Sequence, residues 1–226
     1  MLKAIVFDFD GVLANSEPLH YQAFRHVLSE QGLTLDEVDY YARYLGFDDA
    51  GAFRAILNDR GHRWSDARVQ LAVARKAVVM EDLERDVSVL FAHADEVVRR
   101  AAARFPLAIA SGALSVEIRR VLDREALTPC FAAIVGADDT EASKPAPDPY
   151  LLALAQLRSA LGDDSLAPTE CVAIEDSRWG LESARAAGLR TVGVAQTYPA
   201  SALDRADLVI ESIADLDLAA LEKLCS

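Results

Sequence analysis

The 226-residue chain is poor in several residue types whose absence is informative. It holds four lysines, two methionines, two tryptophans and three cysteines. Cys130, Cys171 and Cys225 are far apart and form no C-x-x-C pair, which argues against a disulfide framework or a cysteine-based zinc site and suits a reducing cytoplasm. No apolar run reaches the roughly 18–20 residues of a membrane span. The N-terminal MLKAIVFDFDG meets two acids within ten residues, where a secretory leader needs a longer uncharged stretch. Positive charge is also scarce. Lys and Arg number 23 against 36 Asp and Glu, a net charge of −13, which disfavours nucleic acid or an anionic membrane as a partner. A phosphorylated small molecule remains open as a ligand, because a bound cation reverses the local field.

What is present is a globular chain, 52% apolar and 26% charged, long enough for one or two domains. Ala4 to Phe7 reads as a short buried strand ending at Asp8. From Pro18 to about Arg85 the periodicity is helical throughout. Leu19, Phe24, Val27 and Leu28 share one face before Gly32. Further helices are expected over Asp36–Leu45, stopped by Gly46, over Ala50–Leu57, and from Ser65-Asp66 towards Leu83. After Asp86 strands and helices alternate. Strands are expected at Leu107–Ala110, Phe131–Val135, Cys171–Ile174, Thr191–Val194 and Leu208–Ile210, and a C-terminal helix follows. Such alternation specifies a parallel sheet covered on both faces. The fold class is therefore α/β, with a helical insert between the first strand and the others.

Ligands of parallel α/β sheets sit outside the carboxyl ends of the strands. The first strand delivers Asp8 and Asp10 to that edge, the second Ser111 and Gly112, and the strand at 171–174 delivers Glu175 and Asp176. Lys144 lies in the stiff loop Ser143-Lys144-Pro145-Ala146-Pro147-Asp148. Four carboxylates at one edge repel each other unless a cation sits among them. All-oxygen ligands suit Mg²⁺, which keeps waters and a substrate phosphate in its shell. Lys144, the Ser111 hydroxyl and the Gly112 N–H are then placed for phosphate oxygens. An Asp beside such an ion can attack phosphorus, and a carboxyl two residues away can protonate the leaving oxygen and later activate water.

These four segments, Asp8-Phe9-Asp10-Gly11-Val12-Leu13, Ser111-Gly112, Lys144-Pro145-Ala146-Pro147-Asp148 and Glu175-Asp176-Ser177, resemble the ordered motifs of the haloacid dehalogenase-like hydrolase superfamily. The resemblance covers nearly the whole chain and is nearest to the phosphatase and β-phosphoglucomutase branch. It implies a Rossmann-like parallel-sheet core from residues 1–15 and 86–226 with an inserted all-helical cap domain at 16–85. It implies that Asp8 is nucleophile and metal ligand, and that Asp10 is general acid/base, giving its backbone carbonyl to Mg²⁺. Ser111 and Lys144 then bind the phosphoryl group, and Asp176 ligates the ion with Glu175 beside it. True haloacid dehalogenases lack the Asp10 carboxylate, so the superfamily's name is not the expected activity. The expected activity is Mg²⁺-dependent hydrolysis of a small phosphomonoester through phospho-Asp8, by a cytoplasmic monomer or weak homodimer.

In the cap, His20, Phe47, Asp48, Arg54 and Lys76 are the expected substrate contacts. Two departures from the branch stand out. The mutase carries an arginine shortly after the glycine matching Gly46, where this chain has Phe47-Asp48-Asp49. Relatives carry Pro-Gly where this chain has Ala92-His93, so a changed local turn is expected. The first departure favours a phosphatase over a phosphosugar mutase, although Arg54, a turn further on, could substitute. A receiver-like signalling module also gathers acids, a hydroxyl and a lysine around Mg²⁺. Its acceptor Asp lies on a later strand, however, and no helical domain interrupts its sheet.

Overall fold

The computed structural model describes residues 1–45, 47–85 and 87–226. Gly46, expected to stop a helix and matched to the mutase glycine, lies outside the described residues, as does Asp86 at the expected return to the core. The strands are β1 (Ala4–Phe7), β2 (Leu107–Ala110), β3 (Phe131–Val135), β4 (Cys171–Glu175), β5 (Arg190–Val194) and β6 (Leu208–Ile210). The helices among the described residues are α1 (Glu17–Ser29), α2 (Glu37–Arg43), α3 (Asp49–Asp59), α4 (Asp66–Glu84), α5 (Ala94–Ala102), α6 (Ser115–Arg124), α7 (Asp148–Leu161), α8 (Arg178–Ala186) and α9 (Leu218–Leu224). The chain forms two compact units, Met1–Asn15 with Val89–Ser226, and Ser16–Ser88.

The first unit is a parallel sheet in the order β3-β2-β1-β4-β5-β6. Its strands read as apolar runs because both faces are covered: every residue of β1, β2 and β4 is buried. Alternate positions point to one face. Ala4, Val6, Ala108, Ala110, Ala133 and Ala173 lie there, and their small side chains let α7 seat Tyr150, Ala153, Leu154 and Leu157 on the sheet. Strand order reverses between β1 and β4, which opens the crevice where such sheets bind ligands. Register fixes what meets there. Phe7 pairs with Ile174 and with Ile109, and Ile109 pairs with Ile134, so Asp8, Ser111 and Glu175 emerge at the same edge.

The insert departs and returns through adjacent crossings. The Asn15 N–H donates to the Val89 carbonyl at 2.6 Å, Phe91 N–H to Leu13 at 2.9 Å, and Ala14 bridges Leu90 in antiparallel fashion. These bonds draw Val89 to the core, so the helical unit runs to Ser88 rather than to residue 85. The turn into α5 places His93 at φ 65°, a left-handed conformation that favours glycine.

The second unit is helical throughout among the described residues. Its elements start at side-chain caps: Asp36 accepts from the Val38 N–H at 2.9 Å, Asp48 from Gly51 at 2.8 Å, and Ser65 from Arg68. Phe24 anchors the interior, with ring centroids 4.9 Å from Phe53 and 5.7 Å from Tyr40.

Leu154 is fully buried in the interface between α7 and the sheet, whereas Leu151 on the same helix is 48% exposed. Leu154→Ala is expected to cost about 2–5 kcal/mol in urea unfolding, and Leu151→Ala under about 0.5 kcal/mol. Equal costs would contradict this placement of α7.

Candidate active site

At the end of β1 the Asp8 N–H still follows the ladder, donating to the Ile174 carbonyl at 2.9 Å. Its side chain turns into the crevice, where Oδ1 accepts the Phe9 N–H at 2.7 Å and lies 2.9 Å from Lys144 Nζ. Lys144 comes from the loop before α7 and also donates to Glu175 Oε1 at 2.6 Å. The Tyr150 hydroxyl, from the first turn of α7, donates to that same oxygen at 2.6 Å. Ser177 donates to Glu175 Oε2 at 3.3 Å, and the Thr197 hydroxyl bonds Asp176. Asp8, Glu175 and Asp176 are all buried, and each places an oxygen within 4.8 Å of the others.

The electrostatics of this cluster follow from its charges. Burial, then repulsion from Asp8 and Glu175, pushes the Asp176 carboxyl well above the usual carboxylate range. Burial and Asp8 raise Glu175 as well, against the opposing pull of Lys144 and Tyr150. For Lys144, burial disfavours the charge, but the two carboxylates outweigh it and hold the ammonium above its ordinary pKa. One ammonium among three buried carboxylates leaves the cluster short of positive charge. The donors are oxygens of hard carboxylates with no imidazole or thiolate among them, so the set fits a hard divalent cation. Two glycines make room for it. A Cβ on Gly11, which sits at φ +78°, would overlap the Asp176 carboxylate, and one on Gly180 would overlap that of Glu175.

Beside the cluster, a recess of about 140 Å³ is lined by Ser111, Gly112, Ala137, Thr140, Ser143, Lys144 and Pro149. The Ser111 hydroxyl accepts the Ala113 N–H at 3.1 Å, which leaves its proton for a ligand oxygen. Gly112 has open space where a side chain would be. Asp10 is half-buried, and its backbone bridges Ala14 across a tight loop.

In the helical unit Lys76 is fully buried rather than solvent-facing. Its ammonium is paired with Asp49, bonded to His20 Nδ1 at 2.7 Å, and 4.4 Å from the centre of the Phe24 ring. Burial and the Lys76 charge drive the His20 pKa down to about 3, so His20 meets Lys76 as a neutral acceptor. Glu17 bonds the Tyr40 hydroxyl, and burial raises its carboxyl pKa. Arg54 is paired with Asp66 at 2.9 Å, Asp48 is spent on capping α3, and Phe47 is 53% exposed.

Sequence reasoning brought Asp8, Lys144, Glu175, Asp176 and Ser111 to one edge, and the structure places them there. It missed Tyr150 and Thr197, which hold two of the carboxylates. Tyr150 carried a weak signal, as a fully apolar-looking helix position with a hydroxyl that a buried site must satisfy. Thr197 carried none.

The profile of the haloacid dehalogenase-like hydrolases matches residues 5–194. The chain is 36% identical over 208 residues to protein CbbY of Rhodobacter capsulatus, covering 87% of each chain. It is 30% identical over 198 residues to the fructose-1-phosphate phosphatase YqaB of Escherichia coli, covering 84% of this chain and 95% of that one. The crystal structure of CbbY from Rhodobacter sphaeroides in complex with phosphate superposes with a TM-score of 0.80 at 26% identity, covering 98% of this chain and all of the other.

In a chelator, the raised Asp176 carboxyl binds a proton in the native state that the unfolded chain has released. Stability therefore falls as pH rises above about 4, the unfolded carboxylate value. Asp176→Asn removes that loss, so the variant should resist urea better than the parent at neutral pH, with the gap closing towards pH 4. Adding a divalent cation should reverse the ranking, because the variant loses a ligand. A parent more stable than the variant in chelator at neutral pH would contradict the repulsion described.

Proposed function

The chain belongs to the haloacid dehalogenase-like hydrolase family, and from that premise we propose how it acts as a phosphatase on a small phosphomonoester of the sugar-phosphate kind. The observation that carries the reading is the convergence of Asp8, Lys144, Glu175 and Asp176 at the switch point of the sheet, beside the Ser111 recess.

The ester's phosphoryl group lies between Lys144, the Ser111 hydroxyl and the Gly112 N–H. An oxygen of Asp8 attacks phosphorus in line with the ester oxygen. As the bond to the leaving alcohol breaks, Asp10 in its acid form gives that oxygen its proton, and the phosphoryl group stays on Asp8. Asp10, now ionised, takes a proton from water. The water oxygen attacks phosphorus, the bond to Asp8 breaks, and inorganic phosphate leaves with Asp10 reprotonated. Mg²⁺, held by Asp8, Asp176 and the Asp10 backbone carbonyl with Glu175 beside them, supplies neutralisation of the phosphoryl charge when bound. Lys144 adds to that neutralisation.

Selection of the leaving alcohol is assigned to the helical unit, with His20, Phe47 and Arg54 as its candidate contacts and Lys76, buried against Asp49 and His20, acting through His20. Lys76 is already matched by Asp49 and Arg54 by Asp66, which supports an ester carrying one phosphate over a bisphosphate and hence a phosphatase over a mutase.

The test is phosphate release from a panel of phosphorylated metabolites with Mg²⁺. Asp8→Asn should abolish turnover while the circular dichroism spectrum is kept. Asp10→Asn should lower turnover by about 10²–10⁴-fold with Mg²⁺ binding retained, since the backbone carbonyl remains. Interconversion of two phosphosugars without phosphate release would favour the mutase. A phosphoprotein stable for minutes without turnover would favour the signalling module.

A further inference from the structure

The loop after β5 contains a side chain that the reaction above does not use. Gln196 is half-buried, and its amide is bonded on both ends. Nε2 donates to the Gly11 carbonyl at 3.2 Å and to the Val12 carbonyl at 3.3 Å. Oε1 accepts the Ile213 N–H at 2.8 Å and the Ser212 hydroxyl at 3.2 Å. A carboxamide offers two donors and two acceptor sites, and all four are in use here.

The two carbonyls belong to the turn that carries Asp10. β1 ends at Phe7 and α1 begins at Glu17, so the intervening residues have little regular ladder to hold them. Local bonds and the crossing to Val89–Phe91 hold them. Gly11 N–H donates to the Ala14 carbonyl at 2.9 Å, and the Leu13 and Ala14 N–H groups both donate to the Phe9 carbonyl at 2.9 Å. Gln196 reaches this turn from later in the chain and ties it to Ser212 and Ile213. Its neighbour Thr197 bonds Asp176, whose carboxylate lies against Gly11 in the same turn. The peptides that follow Gly11 and Val12 are thus pinned by a side chain that is not one of the clustered carboxylates.

We propose that Gln196 is a positioning residue: its Nε2 donor fixes the Gly11 and Val12 peptides and thereby the direction in which Asp10 presents its proton to the leaving oxygen. This rests on the reading of Asp10 as general acid. It predicts a defect that depends on the ester in kcat/KM, which reports the steps up to departure of the alcohol, whereas the later water step, in which Asp10 takes a proton, is common to all esters. A sugar alkoxide cannot leave without one, whereas nitrophenolate can.

Gln196→Glu keeps the side chain's length and its acceptor towards Ser212 and Ile213, but turns the donor facing the two carbonyls into an acceptor. The measurement is kcat/KM on a sugar monophosphate and on p-nitrophenyl phosphate, with the Mg²⁺ dissociation constant from calorimetry. The expected result is a loss of at least about 10-fold on the sugar phosphate, a change below about 3-fold on the nitrophenyl ester, and unaltered Mg²⁺ affinity. Gln196→Met, which is uncharged, should show the same divergence. Equal losses on both esters, no loss, or weakened Mg²⁺ binding would overturn the proposal, as would failure of both variants to fold. A wild-type protein that releases phosphate from neither ester would instead overturn the phosphatase reading, and this inference with it.

Discussion

The Lys144 ammonium, held between Asp8 and Glu175, is the contact on which the rest of the site depends. Three carboxylates buried within 4.8 Å of one another repel each other, and burial adds to the cost of their charge. Lys144 offsets part of that cost, and the remainder is what a divalent cation bound as proposed would offset. The neighbours follow from this requirement. Tyr150 satisfies an oxygen of Glu175 that would otherwise be buried with one partner, and Thr197 serves Asp176. Glycine stands at 11 and 180 because a side chain at either would occupy the carboxylate's own space.

That requirement in turn constrains the fold. Lys144 approaches from a loop whose far end is α7, and α7 is seated on a sheet face made almost wholly of alanine and valine. A larger residue at Ala108 or Ala133 would lift the helix and carry Tyr150 with it. The small side chains that look unremarkable in sequence therefore act at the site through helix height.

The strands, their order of appearance and the edge carrying the acids were legible because buried parallel strands are short apolar runs and their carboxyl ends bear the polar residues. Helix ends were legible where a cap or a glycine marked them, as at Asp36, Ser65 and Gly32. Tyr150, Thr197 and Gln196 were not, since each acts through contacts that depend on tertiary register and follow no local pattern. Lys76 illustrates the same limit. Its helix gives it an ordinary charged position, and only packing against Phe24, His20 and Asp49 turns it inward. The His93 turn is a milder case: the branch's glycine is missing there, but the left-handed backbone that glycine favours is present.

The paired crossings between Leu13–Asn15 and Val89–Phe91 have one more consequence. Because the two severed ends of the core are already stitched to each other, everything from Ser16 to Ser88 is, topologically, a long detour off a closed circuit. Such a detour can be exchanged for one of different length or sequence without rewiring the sheet. On the proposed division of labour, the chemistry at phosphorus and the choice of alcohol can thus diverge on separate evolutionary clocks within a single polypeptide.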